Sequence, residues 1–97
     1  MSDQISNEMK MEIHLDEETA QGVYVNMAAV NHTGSEFVID FIFAQPQAPR
    51  AKVRSRVITS PAHVKRLIAA LHDNLQRYEK SYGTIDISAP PQGGEFH

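Results

Sequence analysis

The stretch between Ser60 and Gly83 repeats apolar side chains at Val64, Ile68, Leu71, Leu75, Tyr78 and Tyr82, at alternating spacings of four and three. That period belongs to one face of an α-helix. Ser60 is a good N-cap and Pro61 suits the first helical position. Gly83 is suited to a left-handed cap that stops the helix. Leu67 widens the apolar stripe, and Lys65, Arg66, Asp73, Gln76, Arg77 and Lys80 take the rest. Such a helix would be about 33 Å long. It must lay its stripe on something, and the rest of the chain has to supply the cover.

The residues before it read as strands. Met11, Ile13 and Leu15 alternate with Glu12 and His14, which predicts a short first strand. Asp16 is placed to cap a single helical turn that Gly22 would end. Val23 to Asn31, Glu36 to Phe43 and Ala51 to Ile58 follow as three further strands, the last two separated by a loop with Pro46 and Pro49. The expected fold is therefore α+β: an antiparallel meander of about four strands, followed by one long amphipathic helix packed on one face. A short extra strand at Thr84 to Ser88 is a further expectation. Residues 1–10 and 89–97 read as a disordered segment and a flexible tail around a single domain, 11–88.

Register follows from the apolar pattern. A three-residue turn, with Gly34 in the left-handed bulge position, would set Val23, Val25, Met27 and Ala29 opposite Phe43, Phe41, Ile39 and Phe37. The next pairing, with Phe41 facing Val53 and Phe37 facing Val57, would put Asp40 opposite Arg54. Tyr24, Val30, Val38 and Ile42 would then share an outer face too apolar for water, a candidate oligomer or partner surface.

Charge is divided along the chain. The net of −3 resolves into −7 over residues 1–49 (one Lys, eight Asp and Glu) and +4 over residues 50–97 (eight Lys and Arg, four Asp and Glu). Arg50, Lys52, Arg54, Arg56, Lys65 and Arg66 form the basic cluster, a candidate nucleic-acid surface. The fourth strand has no aromatic residue to interleave with these bases, and cross-strand pairing with acids explains them more simply. Nucleic acid is thus the second reading.

Chemistry of other kinds has little support. There is no phosphate loop, dinucleotide fingerprint or nucleophile elbow. His14, His32, His63, His72 and His97 lack the spacing of a helical zinc site. Glu17 and Glu18 read as partners of a helix dipole. Tyr78 and Tyr82 read as packing residues of the stripe. No cofactor, metal or catalytic activity is expected. With no cysteine, no apolar leader and no membrane-length apolar run, the expected setting is the cytoplasm.

The segments Ser35–Phe41, Ala51–Ile58, Ser60–Leu67 and Leu75–Glu79, within Gly22 to Gly83, resemble domain of unknown function family 3467, a family of short bacterial and archaeal proteins. The resemblance implies no activity and no catalytic residues. The order of strands and then a long helix also looks loosely like the bacterial export chaperone that holds unfolded chains. A foldable segment this small, without staples, points to oligomerisation. The functional expectation is a small homo-oligomeric interaction module, most simply a dimer, with an adapter or holdase-like role.

Overall fold

The computed structural model describes residues 10–88. The expectations for the two ends, 1–10 and 89–97, lie outside them except at Lys10, which is exposed. The elements are α1 (Glu17–Ala20), β1 (Met27–His32), β2 (Phe37–Ala44), β3 (Ala51–Thr59) and α2 (Pro61–Tyr82). The three strands form one antiparallel meander in the order β1-β2-β3. The α+β class and the meander are as expected. The fourth strand is not: Met11, Ile13 and Leu15 belong to no strand and are exposed, and Thr84–Ser88 is not a strand either.

Local signals determine the helices. The Asp16 carboxylate accepts a hydrogen bond from the Thr19 amide at 3.3 Å, and Gly22 has a φ of 75°. In α2 the Ser60 hydroxyl accepts from the His63 amide at 3.1 Å. Gly83 closes the helix with a φ of 100°, its N–H bonded to the Glu79 carbonyl. That backbone region disfavours residues with a Cβ.

Register departs from expectation at both hairpins. His32 pairs with Phe37, Val30 with Ile39 and Ala28 with Phe41, so the β1–β2 loop has four residues, Thr33 to Glu36. The Thr33 hydroxyl accepts from the amides of Ser35 and Glu36, each at 3.2 Å. A threonine side chain thus turns the chain, and Gly34 does not take a positive φ. The change is odd-numbered, so it exchanges the two faces of β1. Asn26 consequently falls toward Phe43, as an apolar match would avoid. Its amide instead bonds the edge of β2, donating to the Ala44 carbonyl at 2.9 Å and accepting from the Ala44 N–H at 2.8 Å.

The β2–β3 register is displaced by two, which preserves the faces: Phe41 meets Ser55, Ile39 meets Val57 and Asp40 meets Arg56. Between Phe41 and Ile42 a bulge intervenes, after which Ile42 meets Val53 and Phe43 meets Lys52. Arg54 is the extra residue. Below it the alternation of β3 is inverted, so Val53 no longer shares a face with Ser55 and Val57.

The expected packing of α2 on the sheet is not observed. The stripe stays exposed, with Ile68 at 60%, Leu71 at 56%, and Leu75 and Tyr78 at 49% each. Val64 and Leu67, in the first turns, are half-buried. The buried apolar residues among those described are Ile39, Ile42 and Ala44, all on the central strand.

Candidate functional site

Two surfaces stand out, one apolar and one basic. The apolar one is the α2 stripe. Its C-terminal half forms an open groove of about 540 Å³, walled by Leu71, Asn74, Leu75, Tyr78 and Tyr82 and closed on one side by Ile85. Ile85 is tied back to the helix through its N–H, which donates to the Glu79 carboxylate at 2.9 Å. The rings of Tyr78 and Tyr82 lie 4.9 Å apart, so they present one aromatic ledge.

The patch expected from Tyr24, Val30, Val38 and Ile42 is not one surface. Val30 pairs with Ile39 on one face of the sheet, whereas Val38 and Ile42 belong to the other. Ile42 is buried. Tyr24 precedes β1 and meets Phe43 edge-on, with ring centroids 6.2 Å apart.

The six-residue basic cluster is likewise divided, into three parts. Arg56 grips Asp40 with two parallel hydrogen bonds, Nε to Oδ1 at 2.7 Å and a terminal nitrogen to Oδ2 at 2.9 Å. The guanidinium hydrogen bond holds the Asp40 carboxyl below its ordinary range, against the opposing effect of desolvation, and raises Arg56 in turn. Asp40 is only 8% exposed, and Arg56 supplies the charge that such a position requires. The expected ion pair between Asp40 and the basic strand is therefore present, with Arg56 as the partner. Lys65 and Arg66 lie in the first turns of α2, beyond the far end of β3.

Arg50, Lys52 and Arg54 form the third part. Together with Phe43, Gln45, Pro49 and Ala51 they line an open groove of about 500 Å³. Among the described residues, none of these three cations has a carboxylate within 4.0 Å. Charges on an edge strand also discourage pairing with another sheet, but that effect does not require them to converge on one groove. Nothing in the sequence marks Phe43 as their aromatic neighbour, because the ring comes from β2 and only the paired register brings it beside Lys52.

Among the described residues no group of His, Asp and Glu could hold a metal ion. No helix among them is long and apolar enough to cross a membrane. No curated protein and no solved structure matches the chain. The model of a family described as "Protein of unknown function (DUF3467)" matches residues 1–87. With that match spanning most of its length, the chain belongs to the DUF3467 family.

Proposed function

We propose that the protein is a small homo-oligomeric interaction module, most simply a dimer, whose first partner is a second copy of itself bound along α2. The observation that carries this reading is the exposed α2 stripe beside so small a core. Burying a Leu- or Ile-sized side chain contributes about 1.5–3 kcal/mol. Ordering each residue costs on the order of 1–2 kcal/mol in backbone entropy. Two isoleucines and an alanine do not offset the ordering of three strands and a 22-residue helix. Contacts with another chain have to supply the difference.

The sequence of α2 favours an antiparallel pair. Its four-three spacing is that of a two-stranded seam. Antiparallel pairing centred near Asp73 sets Ile68 against Tyr78 of the second copy, Val64 against Tyr82, and Leu71 against Leu75. Small side chains then meet large ones. Lys65 flanks the seam opposite Glu79 of the second copy, a pair of opposite charge. Parallel pairing stacks Tyr78 on Tyr78 and Tyr82 on Tyr82, and leaves Lys65 and Glu79 apart. Ile68, Leu71, Leu75, Tyr78 and Tyr82 still expose on the order of 500 Å² in each chain, judged from the usual area of such side chains. Flanking residues bring this toward the roughly 800 Å² per partner of a standard interface. The adapter or holdase-like role would use apolar surface outside α2, such as Val53 and Ile58 on the exposed strand β3.

The absence of cysteine makes cross-linking a direct test. An equimolar mixture of Ile68→Cys and Tyr78→Cys chains is expected to form a disulfide-linked dimer under mild oxidation. Either variant alone is not, because equivalent positions would be about 15 Å apart along the axis. Linking by each variant alone would show a parallel pair. No linking in any combination would remove α2 as the contact.

A further inference from the structure

We infer that the groove between the β2–β3 loop and the lower part of β3 is a binding site for single-stranded nucleic acid, with phosphates on Arg50, Lys52 and Arg54 and a base on Phe43. The bulge at Arg54 is the structural reason. Regular alternation would have grouped Lys52, Arg54 and Arg56 on one face, over Asp40. The register shift between Phe41 and Ile42 separates them. Arg56 stays with Asp40 and is neutralised there. Lys52 is delivered instead to the side of its cross-strand partner Phe43, where Arg50 and Arg54 line the same groove.

The groove has a neighbour that shares its aromatic wall. A second open depression of about 530 Å³ is lined by Phe43, Gln45, Pro46, Gln47 and Ala48. Phe43 and Gln45 border both depressions. Together the two depressions make a trough that carries the three cations in the first and the Gln47 amide in the second, with Phe43 and Gln45 common to both. Tyr24, edge-on to Phe43, extends the aromatic surface. A lone phosphate needs only the cationic end. A single strand uses the whole length: cations follow its backbone, a ring stacks a base whatever its identity, and amides reach base edges. Duplex DNA cannot present an unstacked base to a ring in a trough of this size. The site does not use α2 and is independent of the pairing proposed above.

The test is fluorescence anisotropy with a labelled oligothymidine of about ten nucleotides, within the span a small domain of this kind covers. Binding is expected to weaken with salt between about 50 and 200 mM, with a log–log slope near −2 for three phosphate contacts. The exposed triple variant Arg50→Gln/Lys52→Gln/Arg54→Gln is expected to lose binding with unchanged circular dichroism. Arg66→Gln, outside the trough, is expected to leave it unchanged. Phe43→Leu is expected to weaken it about tenfold, as removal of a stacked base would. Four outcomes would overturn the inference: no binding at the lowest salt, binding that survives in the triple variant, equal loss in Arg66→Gln, or equally effective competition by inorganic polyphosphate together with indifference to Phe43→Leu.

Discussion

Asn26 shows how one side chain substitutes for a missing length of strand. β1 begins at Met27, opposite Ile42, so its ladder stops two residues short of Ala44 at the end of β2. The Asn26 amide carries one acceptor and a donor in peptide-like arrangement, and it satisfies both backbone groups of Ala44. Ala44 is 1% exposed, so water cannot replace either bond. Asn26→Ala is expected to lower stability by about 2 kcal/mol, because an unsatisfied buried group costs about 1–3 kcal/mol. Urea denaturation of the two chains measures this. An unchanged midpoint would mean that Ala44 finds other partners. The sequence offered no way to see it. An asparagine within an apolar stretch argues for the opposite face, and only the register reveals that its amide has backbone to bond.

At the scale of elements, the pairing of β2 with β3 is secured by the two-pronged contact between Asp40 and Arg56. Its contribution depends on pH with a definite sign. Hydrogen bonding from Arg56 depresses the Asp40 carboxyl, so the stabilisation is complete above the unfolded value of about 3.9. It is lost as pH falls through the lower folded value. Asp40→Asn is expected to be less stable than the parent near neutral pH, with the difference shrinking below about pH 4. Urea midpoints across that range test it, and a constant difference would mean that the carboxyl is not depressed. The helices were legible because their signals are local: Ser60, Pro61, Gly83, Asp16 and Gly22 each act within a few residues of where they stand. Strand pairing was legible in kind but not in register. Either Thr33 or Gly34 can turn the chain, and nothing local chooses between them. The bulge at Arg54 has no glycine or proline to mark it, so the gathering of Arg50, Lys52 and Arg54 beside Phe43 was not foreseeable. The ion pair of Asp40 with a base of β3 was, although Arg56 takes the place expected of Arg54, because a shift of two residues leaves the side chains above the bulge on their own faces.

On the scale of the whole molecule, the relation between helix and sheet is what the sequence led one to misplace. An amphipathic helix following a sheet is expected to cover it. Here the stripe of α2 points into solvent along most of its length, and the apolar pattern that fixed its face contains no instruction about which chain supplies the cover. A stripe on the sheet and a stripe on a second helix look alike in one sequence. Sedimentation equilibrium at micromolar concentration distinguishes the two. The parent chain is expected to sediment as a dimer of its 10.9 kDa chain. Leu71→Glu, which sets a charge in the middle of the seam, is expected to shift that dimer toward monomer. A parent chain that remains a folded monomer, with Ile68, Leu71 and Leu75 in water, would rule out pairing through α2.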